Sequence, residues 1–426
     1  MIRYPLEGVR VLDLCQLQAG NSANYILADL GAEVIKVEST QYWQFGVRGQ
    51  MARPSKGEQA GYFQRDPGER PWERTTGFHS YCRNKLSMTV DLKRPEGVHI
   101  FKQLIKVSDI FIESNSPDTV ERLGIDYPQL KEVNPALIML RMSSYGLTGP
   151  YRNFSSMAQN VEAFCGHTSL RGYPGLDPTF TPLGIMADGV AGVGVAIAVL
   201  MALRYRRQTG KGQLIELAQA ENFIPMLSQA YMDFILNQRV QTTLGNRHPS
   251  AAPCGAYPCA GDDRWVAITV HNDEEWSGLR RALGDPDWAK APELATMVER
   301  YREQDAIDKH LAEWTRGRSP REVMELLQKE GVPAGPITDG RDVLNDPHNR
   351  ARGHFQEITH PEVGTYEAVA IPWKMSELEL RIRHPAPLLG QHNEYVYKEL
   401  LGYSDEEYTR LENEGHIGNV PAEHIP

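Results

Sequence analysis

Short β-branched apolar runs alternate with stretches of helical spacing along the first half of this chain. Residues 9–14 (VRVLDL) form a run of the kind a parallel strand buried on both faces requires. A turn is predicted at residues 18–21. SANYILADLG follows as a helix stopped by Gly31, and AEVIKVE (32–38) as a second strand. Strand, turn, helix and strand make a βαβ unit with a right-handed crossover. The alternation resumes with strands at 86–92, 109–114 and 137–144, and a helix at 94–108 that carries Pro95 in its first turn. Between 41 and 83 no period survives, which predicts a long surface excursion, a lid or a functional loop. From Gly184 the run GIMADGVAG continues apolar to Arg204 and predicts a buried helix. RYRRQTGKGQ (204–213) reads as its basic, solvated end with a Gly stop, and LIELAQAE then returns to order.

Beyond residue 225 the texture changes. GAYPCAGDDRWVAITVH (255–271) predicts a hairpin, and amphipathic helical segments follow to residue 331. Residues 329–348 are rich in Gly and Pro and read as a linker. The expectation is an α/β protein: a large Rossmann-like domain with a parallel sheet over 1–220, and a smaller α+β domain over 225–335. Residues 336–426 form the linker and a helix-rich end. At 426 residues, two domains are the default.

Composition narrows the function. A net charge of −10 argues against nucleic acid and anionic membrane as partners. The N-terminal stretch lacks the pattern of a signal peptide, and the longest apolar run is broken by Asp188 and several Gly, so no span is expected. Five scattered Cys give no metal spacing; reduced thiols in the cytoplasm and no metal site are expected. Glu38 stands where dinucleotide enzymes hold ribose, but the first turn is QAGNSA and not GxGxxG, so that chemistry is not supported. Asp188, a lone carboxylate at the start of an apolar helix, is either the helix cap or a catalytic group.

Taken together, PLEGVRVLDL, QAG, LADLGAEVIKVE, NKLSMTVDLK, RLGIDYPQLKEVNPALI, SSYGLTGPY, RRQTGKGQ, GVPAGPI and HPAPLLGQH, in this order from near residue 5 to near residue 400, resemble the family III CoA-transferases. This group includes formyl-CoA transferase, carnitine CoA-transferase and methylacyl-CoA racemase. The resemblance implies a large domain built from both chain ends, two long linkers to the small domain, and an interlocked ring-like homodimer. It implies acyl-CoA and a free carboxylic acid as substrates, with no tightly bound cofactor. It also implies a nucleophile at Asp188, which lies 22 residues after Gly166 and opens a D-x-x-x-G stretch ending at Gly192. Gln18 and Gly189 are implied as catalytic partners, and Gln18, Ala19, Val90, Lys93 and Arg122 as CoA-binding. Turn geometry for Gln18, and ordinary surface charge for Lys93 and Arg122, are the alternative readings of those residues.

The departures from the family are informative. Glu113-Ser114-Asn115 lacks an aromatic near CoA, and Asn84-Lys85-Leu86-Ser87 lacks an Arg. Residues 245–261 replace the Gly-rich loop of the formyl-CoA enzymes. Formyl and oxalate specificity is therefore not expected. A racemase would carry a His where Ala158 stands; Glu162, one turn on, is the conceivable substitute. A non-catalytic CoA-binding protein and a CoA hydrolase are the other readings.

Overall fold

The apolar runs of the first half pair as a six-stranded parallel sheet in the computed structural model, ordered β3-β2-β1-β4-β5-β6. Residues 4–426 are described apart from Gln44, Lys56, Glu58, Pro182 and Leu183. The first three residues of the stretch read for a signal, three positions in the 41–83 excursion and two before the apolar helix thus lie outside the described residues. Contacts divide the chain into two units, one of residues 1–167, 183–232 and 353–426, the other of 168–182 and 233–352.

In the larger unit the order is β1 (Arg10–Leu14), α1 (Gln18–Asp29), β2 (Glu33–Glu38), α2 (Thr76–Tyr81), β3 (Lys85–Thr89), α3 (Pro95–Lys106) and β4 (Ile110–Glu113). Then come α4 (Thr119–Leu123), α5 (Tyr127–Val133), β5 (Ile138–Ser143), α6 (Ala158–Phe164), α7 (His167–Leu170, assigned by contacts partly to the other unit), α8 (Met186–Thr209), β6 (Gln213–Ala218) and α9 (Gln219–Phe223). The strands read as continuous apolar runs because both faces of the sheet are covered. Val11, Val34, Ile110, Ile138 and Leu140 face a core shared with α1 and α8. Leu12, Ile35, Val37, Met88, Phe111 and Met139 face the opposite core, shared with α3 and the C-terminal Val396, Tyr397 and Leu411.

One helix boundary differs from the sequence reading. The predicted turn at 18–21 is already the first turn of α1, so the backbone N–H groups of Gln18, Ala19 and Gly20 have no helical partner. Gly20 permits this, because a Cβ there would lie 2.5 Å from both Cβ and Sγ of Cys15. The apolar helix α8 passes into its basic end as the sequence reading has it. It runs to Thr209 and is closed by Gly210 in the left-handed region (φ 74°), which makes the basic segment its last turn.

α8 is long and apolar enough to cross a bilayer. However, Ala191, Val195, Val199 and Ala202 are buried in the core against α1. At Gly192 the two helices approach so closely that a Cβ would stand 2.6 Å from Ser22 Cβ and 3.1 Å from the Ala23 nitrogen. Replacing Gly by Ala in a helix gains about 1 kcal/mol in propensity, but an overpacked contact against backbone costs about 1–3 kcal/mol. Gly192→Ala is therefore expected to lose stability, by about 1 kcal/mol net, in denaturant titration; a gain would show that α1 and α8 can separate freely.

The excursion is not a loose surface loop. It folds around Arg48, which donates to Glu38 (2.6 Å), Glu73 (2.8 Å) and the Pro387 carbonyl (3.0 Å) and stacks on Phe78. His79, also buried, bonds the Glu73 carbonyl (2.8 Å) and the Tyr366 hydroxyl (3.0 Å). Tyr366 lies on the hairpin of β10 (Phe355–His360) and β11 (Gly364–Val369). The Pro426 carbonyl accepts from the Ala52 and Arg53 N–H groups (2.9 and 3.1 Å), and the Arg53 guanidinium donates to the carbonyls of Pro421, Ala422 and Ile425. These partners are far away in sequence, which is why no local period announced the structure.

The smaller unit holds an antiparallel sheet, β7 (Cys254–Pro258), β8 (Trp265–Thr269) and β9 (Ala334–Ile337), in that order. The first two are the predicted hairpin. β9 and the helices Gly340–Asn345 and Pro347–Ala351 occupy the stretch read as a linker. Val266, Ile268, Trp276, Leu279, Leu311 and Leu327 form this unit's core.

Candidate active site

In an open parallel sheet, ligands bind beyond the carboxyl ends of the strands where the strand order reverses. Here that point lies between β1 and β4. A cavity of about 670 Å³ opens there, within the larger unit. Its walls are Gln18 and Ala19 at the start of α1, residues 114–117 after β4, residues 143–145 after β5, Ala158 and Gln159 of α6, and Ile185 and Asp188 at the start of α8. The excursion supplies Phe45, Gln50, Tyr62, Thr75 and Tyr81. Among the described lining residues, Asp188 is the one anion and Arg152 the one cation.

Asp188 is the third residue of α8. The cap position is Ile185, so the capping reading of Asp188 does not hold; the carboxylate sits in the first turn and lines the cavity. Burial, reinforced by the negative charge of Glu162, pushes its pKa up to about 6. Such a carboxylate is still mostly ionised at neutral pH, yet poorly stabilised, which is the condition of a reactive nucleophile.

Beneath the β1–α1 turn lies a buried charged cluster. Lys85 Nζ donates to Asp13 Oδ2 (2.9 Å) and to Asn21 Oδ1 (3.0 Å), and Lys36 Nζ donates to Asn21 Oδ1 (3.3 Å) and the Cys15 carbonyl. Asn21 in turn donates to the carbonyls of Cys15 (3.2 Å) and Leu17 (2.9 Å). The cluster thereby fixes the turn that delivers Gln18 to the cavity. Nothing in the sequence patterning marked Lys36 or Lys85; the available signal was a Lys in each of two strands otherwise buried on both faces.

The structure brings Gln18, Ala19 and Asp188 to one cavity. Gly189 follows Asp188 in α8 and is exposed. Val90, Lys93 and Arg122 do not line the cavity. The Val90 side chain is enclosed in the core, Lys93 stacks on Tyr42 (4.4 Å), and exposed Arg122 bonds Thr119 Oγ1 (3.3 Å). Glu162 is 1 % exposed and absent from the lining, with both carboxylate oxygens bonded inside the protein. Three wall atoms were not singled out by sequence. Ser143 Oγ, Ser156 Oγ and Arg152 Nε are buried without a protein partner. Buried polar atoms need partners, so this wall is built to meet a polar ligand group.

Comparison with known proteins bears on the chemistry. The family model described as CoA-transferase family III matches residues 6–393. Succinyl-CoA–D-citramalate CoA-transferase of Chloroflexus aurantiacus is 32% identical over 409 residues, 96% of this chain and 97% of that protein. Formyl-CoA:oxalate CoA-transferase of Streptomyces coelicolor is 30% identical over 437 residues, 98% of this chain and 100% of that protein. The crystal structure of a CAIB/BAIF family protein from Brucella suis superposes with a TM-score of 0.81 at 30% identity, covering 94% of this chain and 100% of that one.

Proposed function

The chain belongs to CoA-transferase family III, and from that premise we propose that it moves CoA from an acyl-CoA donor to a free carboxylic acid with Asp188 as the covalent nucleophile. The observation that carries the reading is the Asp188 carboxylate itself: in a cavity at the sheet's switch point, raised in energy by burial, with the N-terminus of α1 in the same wall.

The chemistry balances without water, metal or redox change. An Asp188 oxygen attacks the thioester carbonyl, the C–S bond breaks, and CoA thiolate leaves behind an aspartyl–acyl anhydride. The thiolate attacks the Asp188 carbonyl and expels the donor acid, giving an aspartyl-CoA thioester. The acceptor carboxylate attacks that thioester and releases the thiolate, which then attacks the acceptor's carbonyl and frees Asp188. Division into smaller steps is the gain from covalent catalysis. Each step develops an oxyanion, for which the free N–H groups of Gln18 and Ala19 and that of Gly189 are the proposed donors, with the Gln18 amide beside them. Lys93 and Arg122, at the same edge of the sheet, are assigned to CoA phosphates, and Val90 contributes through its backbone alone. No second catalytic base faces the substrate from position 158 or 162, so α-epimerisation is not favoured.

The proposed assembly is a homodimer. Val193, Ile197, Leu200 and Met201 leave an apolar stripe exposed along α8, of the kind that marks an interface. Five unpaired thiols suit the cytoplasm.

Hydroxylamine or borohydride added during turnover, followed by peptide mapping, tests the mechanism. Modification confined to Asp188 supports it, and an unmodified Asp188 under steady turnover refutes it. Because transfer needs the ionised carboxylate, kcat/KM should fall about tenfold per pH unit below about 6. A profile flat down to pH 4.5 would exclude an essential carboxylate with that pKa.

A further inference from the structure

We propose that Glu162, locked between His167 and the first turn of α8, is a positioning residue that holds a fixed negative charge behind Asp188 and thereby raises the reactivity of its carboxylate. The inference rests on the reading of Asp188 as nucleophile but adds a pair of residues to which that reading assigns no part.

The geometry is specific. Gly166, in the left-handed region at φ 80°, turns the chain after α6 so that His167 comes back onto Glu162. His167 Nδ1 lies 2.7 Å from Glu162 Oε2; an ionised carboxylate can only accept, so the proton is assigned to Nδ1. Glu162 Oε1 accepts the Ala187 N–H at 3.2 Å, one residue before Asp188. The imidazole is held edge-on against Phe223, with ring centres 5.4 Å apart. A buried carboxylate is costly unless it is bonded; two partners, one of them a backbone N–H of α8 itself, satisfy this one and hold it in place.

The other titratable groups around the pair do not cancel that charge. Cys165, on the same turn, is a thiol pushed up by burial and by Glu162. Tyr231 donates its hydroxyl to the Cys165 carbonyl. Tyr81 of α2 is pushed up by burial, by Tyr25 and by Asp188. Arg152, across the cavity wall, is bound to Asp118 (2.7 Å). What Asp188 experiences is burial together with the Glu162 charge, and these set its pKa near 6.

The consequence falls on the reaction coordinate. When Asp188 attacks, negative charge leaves its carboxylate for the thioester oxygen, and no proton moves on His167 or Glu162. Repulsion from Glu162 is therefore greater in the ground state than in the transition state. An interaction of that kind raises kcat without tightening substrate binding.

Glu162→Gln is the test. The amide can still accept from Ala187 N–H and donate to the other tautomer of His167, so the bonds remain and the charge goes. In the free enzyme, the Asp188 titration midpoint, read by carbon-13 NMR against an Asp188→Asn control, is expected to fall by about one pH unit. The single-turnover acylation rate at pH 7.5 is expected to fall about tenfold, with KM for the donor unchanged. His167→Gln retains a donor to Glu162 and should leave the midpoint in place. If Glu162→Gln alone does not fold, the pair Glu162→Gln with His167→Gln keeps an amide–amide bond and carries the same expectation. An unmoved midpoint in the folded variant overturns the proposal and leaves the pair a fastening only. The titration needs no turnover. A midpoint that falls in an enzyme whose Asp188 never traps CoA would therefore sink the transferase reading and leave only the charge effect of Glu162 on Asp188 standing, while trapped CoA with an unmoved midpoint would sink this proposal and spare the transferase reading.

Discussion

Replacing Asp188 by Asn is expected to abolish CoA transfer, by about 10³-fold or more, without loss of fold. The amide occupies the same volume in the first turn of α8 but has no anionic oxygen with which to attack a thioester. Stability should hold or rise. The Asp188 pKa is raised in the folded protein, from 3.8 to about 6, so above pH 6 the folded state carries a charge that the unfolded chain accommodates more easily. Removing that charge relieves the native state, the trade expected where a site is organised for reactivity. Thermal melts at pH 7.5 and label exchange between CoA and acyl-CoA are the two measurements. Asp188→Ala should behave likewise in exchange, and exchange retained in either variant would falsify the covalent role.

Asp13→Ala is expected to be the most damaging single change in the scaffold. Asp13, Lys36 and Lys85 are all essentially inaccessible, and Asp13 is the carboxylate that Lys85 (2.9 Å) and Lys36 (4.0 Å) share. Its loss leaves two ammonium groups in the core bonded to Asn21 and the Cys15 carbonyl, with Glu38, already paired to Arg48, the remaining carboxylate acting on Lys36. Breaking a buried pair from one side costs about 3–5 kcal/mol, to be read as a fall in the denaturation midpoint. Converting Lys85 to Met in the same protein should restore part of it, since an uncompensated charge is worse than none. A loss below 1 kcal/mol would show that water reaches the cluster. The pH dependence has a definite sign. Burial pushes Asp13 up, but the two Lys override it and its pKa ends below 3.8; Glu38 is likewise held below 4.5 by Arg48 against burial. Both contributions are fully present above the ordinary carboxylate range and are lost as the pH falls below it. The wild-type protein should therefore lose stability steeply below about pH 4, and the Asp13 variant less steeply.

How much of this was legible in the sequence depends on how local the cause is. The strands declared themselves because a parallel strand covered on both faces must be apolar throughout, and the βαβ order followed. The position of Asp188 was legible through family resemblance, whereas its electrostatics were not, because they depend on Glu162 from another helix. Glu162 attracted notice as a conceivable base, but its burial and its partner His167 become visible only once Gly166 has turned the chain. The start of α1 was read four residues late because Gln18-Ala19-Gly20-Asn21 resembles a turn, and only the contact with Cys15 shows why Gly20 is needed inside a helix. The excursion was opaque because Arg48 finds its partners at Glu38, Glu73 and Pro387.

The bonds between Arg53 and the carbonyls at 421–426 carry a consequence for biosynthesis. A ribosome delivers the segment bearing Phe45, Gln50 and Tyr62 early, and β1 through β5 can pair while the rest is still being made. The clasp that tethers this segment arrives hundreds of codons later. A nascent protein would thus own its sheet long before it owned a finished pocket, and activity should appear only once residues 421–426 have emerged from the ribosome.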